Sequence, residues 1–251
     1  MGTLAGKTAV IVGASGTSNF GTAIARILAA EGANVVVSAR RAEPLNALAQ
    51  EIGGLAVACD MTDEAQIERL FESAKTQYSS VDIAVNSSGM HHAGLIAELT
   101  AESMRPTLEL SVIGAMLFFK HAAAAMDNGG SVITVSSLTA RLPGAGLATY
   151  ATARAGMDYA IKVAAVEYAE KKVRFNSIAA GLIQTDMTEA FFGMDPIIEA
   201  HINATPAGRM GTLDDMAQAA LFLADSDRSG FVNGQLLDLS GGQHMGQLPK
   251  F

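Results

Sequence analysis

The chain has 251 residues, 49% of them hydrophobic, which is enough to bury one large core, so we expect one domain over residues 1–251. Asp and Glu number 25 against 17 Lys and Arg, and the net charge of -8 argues against nucleic-acid binding, which needs a basic surface. No apolar run reaches the roughly 18 residues of a membrane span, and the start lacks the charged and apolar stretches of a signal peptide. A single cysteine, Cys59, excludes an internal disulfide and a cysteine-based zinc cluster, and it fits the cytoplasmic location that we expect.

Short apolar runs alternate along the chain with longer segments of helical spacing, which is typical of βαβ units and a parallel sheet covered on both faces. The apolar runs predict strands at 8–12, 34–38, 55–58, 82–86, 131–136, 174–178 and 235–239. Segments rich in Ala, Leu and Glu predict helices, among them 22–31, 63–78, 150–170 and 213–224. The predicted fold class is α/β, a single-domain Rossmann fold with a doubly wound, seven-stranded parallel sheet.

Residues 181–210, between the sixth and seventh predicted strands, are the one irregular stretch of the chain. Gly193, Pro196 and Pro206 interrupt the helical period there. We expect this segment to form a substrate-binding lid.

A glycine-rich turn, Gly-Ala-Ser-Gly-Thr-Ser-Asn-Phe-Gly over residues 13–21, connects the first predicted strand to the first predicted helix. Glycines permit a tight turn and let backbone N–H groups approach a pyrophosphate, and the helix N-terminus favours negative charge. The hydroxyls of Ser15 and Ser18 are further candidate phosphate donors. An ordinary strand-to-helix turn is the alternative, but the βαβ context favours a dinucleotide site.

The second predicted strand is followed by Ala39, Arg40 and Arg41, without an acid that would bind the adenosine ribose hydroxyls of NAD. An acid there would repel a 2′-phosphate, whereas an arginine can pair with one through two hydrogen bonds. The sequence therefore predicts NADP(H), with Arg40 as the main contact, and makes NAD(H) the less favoured cofactor. Arg41 is equally well explained as a solvated loop residue.

Ser137, Tyr150 and Arg154 form the candidate catalytic group. Tyr150 follows Ser137 by thirteen residues, and Arg154 lies one helical turn further on. At this spacing a serine hydroxyl can polarise a carbonyl, a phenol can supply a proton to its oxygen, and a nearby cation favours the tyrosinate. A surface pair four residues apart is the alternative for Tyr150 and Arg154, and this alternative is stronger for the arginine.

Taken together, these motifs resemble the short-chain dehydrogenase/reductase family over nearly the whole chain. The resemblance rests on ordered segments: the glycine turn at 13–21, Cys59-Asp60, Asn86-Ser87-Ser88-Gly89, the pair Ser137 and Tyr150, residues 176–181, Thr185-Asp186-Met187 and the closing stretch 209–242. It implies a Rossmann subunit, often in tetramers, that moves a hydride between a nicotinamide and a carbonyl or alcohol carbon. By position it implies these cofactor contacts: Gly13, Ser15, Ser18, Phe20, Gly21, Arg40, Asp60, Met61, Asn86, Gly89, Tyr150, Arg154, Gly181, Ile183 and Thr185.

Asp60 directly follows the third predicted strand and has two explanations on chemistry alone. Its carboxylate can accept the adenine amino group, or it can form a turn before the helix predicted to start at residue 63. The family resemblance favours the adenine contact.

Four positions depart from the family pattern. The glycine turn is two residues longer than usual, as in the family's enoyl reductases, and Ala180 replaces a proline. Ser111 stands where the family has an asparagine whose backbone helps to hold a water for proton relay, so we expect Ser111 to serve if its helix bends in the same way. Arg154 replaces a lysine that binds the nicotinamide ribose and favours the tyrosinate. A guanidinium can do both, but it is a poor proton relay.

Weaker signals indicate the substrate. Met187 and Phe191 on the lid, with Leu142 in the loop before the tyrosine, suggest a largely apolar small molecule, although such residues equally suit a subunit interface. His91 lies near the predicted pocket mouth as a candidate substrate contact. Because His91 and His92 have no carboxylate cluster beside them, we predict no metal.

The sequence as a whole predicts an NADP(H)-dependent oxidoreductase that interconverts a ketone or aldehyde and an alcohol, with Tyr150 as acid/base and Ser137 as oxyanion donor. Its predicted partners are a small-molecule substrate and further copies of the chain, as a homotetramer. Reduction of an enoyl double bond is disfavoured. The family's enoyl reductases have a lysine separated from the tyrosine by six residues, and this chain has Met157 at that position. A nucleotide-binding pseudoenzyme is the remaining alternative, and an Arg154 turned away from the ribose would favour it.

Overall fold

The centre of the molecule is one sheet of seven parallel strands, as predicted. The computed structural model describes residues 2–246, apart from the side chain of Phe191. The strands are β1 (Thr8–Val12), β2 (Asn34–Ala39), β3 (Leu55–Ala58), β4 (Ile83–Asn86), β5 (Gly130–Ser137), β6 (Val173–Ala180) and β7 (Leu236–Leu239). Each predicted strand is present, with ends that differ by no more than about two residues, as is usual for strand boundaries.

The strand order, β3-β2-β1-β4-β5-β6-β7, places the site. The chain winds outward from β1 to β3 and then returns to set β4 on the other side of β1. The connections that leave β1 and β4 therefore diverge at the carboxyl ends of these strands, which is where open α/β sheets bind ligands. Both strands are apolar along most of their length because helices cover the two faces of the sheet, and every residue in β1 and β4 is buried.

The helices flank the sheet on both sides. In the described part of the chain they are α1 (Phe20–Ala30), α2 (Ala42–Ile52), α3 (Glu64–Tyr78), α4 (Ala101–Leu108), α5 (Gly114–Ala125), α6 (Ala148–Glu167), α7 (Glu189–Phe192), α8 (Asp195–Ala204), α9 (Leu213–Ala224) and α10 (Ser226–Ser229). The helix predicted at 150–170 is α6, which begins two residues earlier and ends at Glu167; a short 3-10 turn, Ala169–Lys171, follows it.

Two apolar layers fix the sheet between the helices. On one face α3, α5 and α6 pack around Phe118 and Phe175, and on the other face α1, α2 and α9 pack around Ile24 and Leu28. All four side chains are fully buried, and each such burial contributes about 1.5–3 kcal/mol. The carboxyl ends of the central strands are therefore a rigid platform for the loops above them.

The segment between β6 and α9 is more regular than predicted. It contains α7 and α8, and an isolated bridge joins Ile183 to Gly211. Pro196 lies in the first turn of α8, where a missing N–H removes no intrahelical hydrogen bond. The predicted break in the helical pattern is present between α7 and α8, but Pro196 begins a helix there, which the sequence did not predict.

A long apolar helical stretch, Ala101–Ala125, runs through α4, a π-helical turn (Glu109–Ile113) and α5. By length and composition it is sufficient to cross a membrane, which the sequence analysis did not expect. The most apolar part of it is 44% buried within the fold. A core helix meets the same criteria, so the stretch is a weak indication of a membrane span.

Candidate active site

A cleft of about 860 Å³ opens at the carboxyl ends of β1, β2 and β4. Its floor and rim come from the turn after β1, the loop after β2 and the start of the lid. The predicted site residues that line it are Gly13, Ser15, Phe20, Arg40, Asp60, Met61, Gly89, Thr185 and Met187. The structure thus brings together residues that are as much as 174 positions apart in the sequence.

The glycine turn packs very closely on the loop after β4. A Cβ at Gly21 would lie 2.6 Å from Ser87 Oγ and 2.8 Å from the carbonyl oxygen of Gly13, so only glycine fits. Asn19 caps α1, since its side chain accepts a hydrogen bond of 2.8 Å from the Thr22 N–H. Gly21 therefore brings the start of α1 close to the sheet and does not itself line the cleft.

Ser18 is not among the residues that line the cleft, and its backbone is bonded to the lid. Its backbone N–H donates to the carboxylate of Asp186, at 3.2 Å to Oδ1 and 3.3 Å to Oδ2, and its carbonyl accepts from the Asp186 N–H at 2.8 Å. The hydroxyl of Thr17 also donates to Asp186. Thr17 and Ser18 in the long turn therefore hold the start of the lid, a contact that was not predicted from the sequence.

Arg40 and Arg41 are both exposed on the rim of the cleft, beyond the end of β2. The guanidinium of Arg41 donates a 2.8 Å hydrogen bond to the carbonyl of Ser15 in the glycine turn. Arg41 is therefore more than a solvated loop residue, because it links two of the loops that line the cleft.

Asp60 forms the local turn that its position permits. Its Oδ1 accepts hydrogen bonds from the N–H of Thr62 at 2.9 Å and from the Thr62 hydroxyl at 2.8 Å. Both bonds use the same oxygen, so the turn and a contact from Oδ2 to an adenine amino group are compatible.

The candidate catalytic residues lie where β5 and α6 meet. Ser137 is the last residue of β5, Tyr150 is in the first turn of α6, and Arg154 follows one turn later. The guanidinium carbon of Arg154 lies 5.1 Å from the centroid of the Tyr150 ring, within the range of a cation–π contact. Ser137 Oγ accepts hydrogen bonds from the N–H and the hydroxyl of Thr139, at 3.2 and 2.9 Å, which leaves its own proton for a ligand.

Arg154 points into the protein and is only 5% exposed. Its Nη1 donates to the Val135 carbonyl at 2.9 Å, and both terminal nitrogens lie 3.4 Å from the Ser88 carbonyl. Gly89 makes room for it, since a side chain at that position would collide with the guanidinium. The guanidinium, which is larger than a lysine ammonium, is thus accommodated behind the loop after β4. Since Arg154 is buried, the alternative that Tyr150 and Arg154 form a surface pair is wrong.

Ser111 lies in the π-helical turn between α4 and α5, so the helix is distorted at the position where a bend was expected. Its side chain is 2% exposed, and its hydroxyl has no protein partner in the described chain. The Nε of Arg154 is likewise buried without a partner. Buried polar atoms of this kind cost about 1–3 kcal/mol when they stay unpaired, so Ser111 and Arg154 keep hydrogen-bonding capacity that the described protein groups do not use.

Besides Ser18, Gly21, Tyr150 and Arg154, three more predicted cofactor contacts lie outside the lining of the cleft. Asn86 is 2% exposed, and its side-chain oxygen accepts from the N–H and the hydroxyl of Ser88 at 3.0 and 2.6 Å. Gly181 packs on Ser240, and the side chain of Ile183 is 2% exposed in the core. The side chains at these positions shape the walls of the site, so any direct contact is left to the backbone.

The predicted substrate residues lie around the tyrosine and the lid. The ring of His91 lies 5.4 Å from that of Tyr150, and burial, followed by the charge of His92, lowers the pKa of His91. Leu142 is half-buried after the 3-10 turn that follows β5, and Met187 is 52% exposed at the mouth of the cleft. The side chain of Phe191 lies outside the described residues. Residues 2–246 contain no group of three or more His, Cys, Asp or Glu placed to hold a metal.

A dinucleotide cleft at the β1–β4 switch point, next to a serine, a tyrosine and a cation, defines a nicotinamide-dependent oxidoreductase. A family model described as enoyl-(acyl carrier protein) reductase matches residues 13–244. The chain belongs to the short-chain dehydrogenase/reductase family, whose members use NAD(H) or NADP(H).

Characterised relatives cover nearly the full length of the chain. Carbonyl reductase family member 4 of Danio rerio is 31% identical over 240 residues, which are 94% of this chain and 97% of that protein. The 3-oxoacyl-[acyl-carrier-protein] reductase FabG of Escherichia coli (strain K12) is 33% identical over 244 residues, or 96% and 98% of the two chains. The structure of a short-chain type dehydrogenase/reductase from Mycobacterium ulcerans superimposes with a TM-score of 0.91 at 29% identity, covering 99% and 93%.

Proposed function

We propose that the protein is an NADP(H)-dependent carbonyl reductase, reversible as an alcohol dehydrogenase, that acts on a largely apolar small molecule. The observation that carries this proposal is the inward orientation of Arg154, with its guanidinium over the Tyr150 ring and an unpaired, buried Nε. A cation in this position places a fixed positive charge beside the phenol that would give up its proton, and its unpaired Nε is a hydrogen-bond donor that no described protein group uses. The same orientation counts against a pseudoenzyme.

Each residue of the catalytic group has a separate task in carbonyl reduction. Ser137 donates its hydroxyl proton in a hydrogen bond to the substrate oxygen, which polarises the carbonyl. Bound NADPH supplies the hydride that forms the new C–H bond. Tyr150 gives its phenolic proton to the oxygen, and the tyrosinate that remains is stabilised by the fixed charge of Arg154. Because a guanidinium keeps its proton, the tyrosine regains its own from another donor, such as a water bound near Ser111.

The test measures NADPH oxidation with ketones, quinones, keto-esters and a 3-oxoacyl thioester, the last because relatives carry that activity in their names. Tyr150→Phe removes the proton donor and should lower kcat by about 10²–10⁴-fold while NADPH still binds. Tyr159→Phe is the matched control, because Tyr159 lies on the same helix but is 68% exposed. If Tyr150→Phe keeps most of the activity, the mechanism is wrong.

The pseudoenzyme alternative has a distinct signature in the same assay. A wild type that turns over none of these substrates, together with an Arg154→Lys variant that does, would show that the arginine abolishes catalysis. Activity in the wild type that Arg154→Lys changes by less than about tenfold would show that the guanidinium serves as the cation.

NADP(H) is preferred over NAD(H) in this proposal. The loop after β2 offers the two arginines Arg40 and Arg41 and no carboxylate, and Arg41 is held across the cleft by the Ser15 carbonyl. The fixed guanidinium of Arg41 and the exposed one of Arg40 beside it favour the extra phosphate of NADP(H) through charge-assisted hydrogen bonds.

Enoyl reduction is the second candidate, favoured by the description of the matching family model and by the long glycine turn. Met157 counts against it. The position where family enoyl reductases have a lysine is here a methionine that is 1% exposed, packs in the core and accepts a hydrogen bond from the Thr134 hydroxyl at 3.1 Å. A crotonyl thioester in the substrate screen separates the two reactions, since enoyl reduction alone would consume NADPH with it.

We also propose that the protein forms a homo-oligomer, a tetramer, in the cytoplasm. Tyr159, Val163 and Val166 share one face of α6 and are 68%, 43% and 78% exposed, and Ile113 and Met116 add exposed apolar area at the start of α5. Exposed apolar patches of this kind mark subunit contacts. Val166→Glu should reduce the mass measured by light scattering, whereas an unchanged mass would place the interface elsewhere.

A further inference from the structure

A buried carboxylate lies directly below the catalytic group. Asp158 follows Arg154 by one turn on α6 and is 7% exposed. Its Oδ2 accepts a 2.8 Å hydrogen bond from the hydroxyl of Ser136, and its Oδ1 accepts a 2.7 Å bond from that of Ser177. One side chain thus joins α6 to β5 and β6.

The hydrogen bonds of Asp158 connect the two parts of the catalytic group. Ser136 immediately precedes Ser137 at the end of β5, and Tyr150 and Arg154 lie on α6 with Asp158. The carboxylate therefore fixes the strand end that carries the serine against the helix that carries the tyrosine. Catalysis is sensitive to such placement, since an error of about 1 Å costs on the order of 10² in rate.

The charge of Asp158 complements that of Arg154. The hydrogen bonds of Arg154 within the described chain go to backbone carbonyls, which carry no net charge, so none of these direct partners neutralises the buried cation. Burial raises the pKa of Asp158, and the hydrogen bonds from Ser177 and Ser136, followed by the charges of Arg154 and Arg141, act against that rise. Arg154 on α6 and Arg141 in the loop after β5 are thus the charged groups that act on the carboxylate, while β6 contributes a hydroxyl.

We infer that Asp158 is a positioning residue of the active site, which aligns Ser137 with Tyr150 through Ser136 and balances the buried charge of Arg154. The alignment part rests on the proposed carbonyl reduction, and the charge balance does not. A purely structural role would predict lost stability without a specific effect on kcat.

The first experiment tests alignment with two serines on the same strand. Ser136→Ala removes a bond to Asp158 beside the site, whereas Ser131→Ala removes a buried hydrogen bond of 2.7 Å, to the Leu223 carbonyl, at the far end of β5. Both should destabilise the protein slightly. Ser136→Ala should lower kcat about tenfold or more with an unchanged KM for NADPH, and Ser131→Ala should leave kcat unchanged. Equal kcat values for the two variants would overturn the alignment role.

The second experiment tests charge and needs no turnover. Asp158→Asn keeps groups that can hydrogen-bond to both serines but removes the charge, and Arg154→Met removes the cation. Each single variant leaves an unbalanced buried charge and should lower the melting temperature by roughly 5 °C. In the double variant, the fall in melting temperature should be clearly smaller than the sum of the two single falls. Additive losses would overturn the charge balance, and this result is independent of whether any carbonyl is reduced.

Discussion

Gly89→Ala tests whether Arg154 occupies the space behind the cofactor cleft. A Cβ at this position would lie 3.1 Å from the guanidinium carbon of Arg154 and still closer to Nη2, so the guanidinium would have to move by about 1 Å. The 2.9 Å bond to the Val135 carbonyl would then lengthen or break. A hydrogen bond from a charged group contributes about 1.5–3 kcal/mol, and a displacement of about 1 Å in a catalytic group costs about 10²-fold in rate. We therefore expect kcat/KM to fall about 100-fold.

The control for this prediction is the same substitution in an Arg154→Lys background. The ammonium has no second terminal nitrogen to collide with the added methyl group, so Gly89→Ala should then cost less than about threefold. Steady-state NADPH oxidation measures the effect, and thermal unfolding shows that each variant is folded. Full activity in Gly89→Ala, or an equal loss in both backgrounds, would refute the placement of Arg154.

Three further predictions concern the cofactor cleft. Arg40→Asp should raise the Kd of NADPH by about tenfold or more and that of NADH by less than about threefold in fluorescence titrations; equal losses would contradict the 2′-phosphate contact. Asp186→Ala removes the acceptor for the Ser18 N–H and should speed NADPH release about tenfold in stopped-flow measurements, while Asp186→Asn keeps an acceptor oxygen and should change it little. Burial, with the charges of Asp60 and Asp63, raises the pKa of the Cys59 thiol to about 11, so alkylation at pH 8 should be slow until the protein unfolds. Because the pKa of the Cys59 thiol is raised in the folded state, the stability contributed by the neutral thiol is present below about pH 9 and is lost as the pH rises toward 11. A thiol that reacts rapidly at pH 8 would argue against its burial.

The fold could be predicted from the sequence because its signals are local and repeated. β1 and β4 are short apolar runs that need cover on both faces, and amphipathic segments such as α3 and α9 supply that cover. At Pro196 the sequence pattern indicates only a break in the helical period, although a proline can either end a helix or lie in its first turn. The sequence does not show where the first turn of α8 falls, and the structure places Pro196 in it. The apolar stretch through α4 and α5 was missed because Arg105 and Glu109 interrupt its apolar run without ending the helix.

The candidate site could be predicted only in part. Ser137, Tyr150 and Gly13 stand at spacings that chemistry requires, so their types and positions were readable. The contact between Asp186 and Ser18, by contrast, joins residues 168 positions apart and leaves no periodic signal. The sequence shows that Asp158 follows Arg154 by one helical turn. Nothing local in the sequence shows that serine hydroxyls from two strands, β5 and β6, donate hydrogen bonds to its carboxylate.

The sequence by itself determined the chemistry: a glycine turn for phosphates, arginines after the second strand, and a tyrosine thirteen residues after a serine. These features are read along the chain because each depends on residue type and short spacing. Tertiary structure decided where the Arg154 side chain lies. Whether it faces solvent or the protein interior depends on space behind Gly89 and on acceptors from β5 and from the loop after β4. Elements that are far apart in sequence supply these only when the sheet assembles.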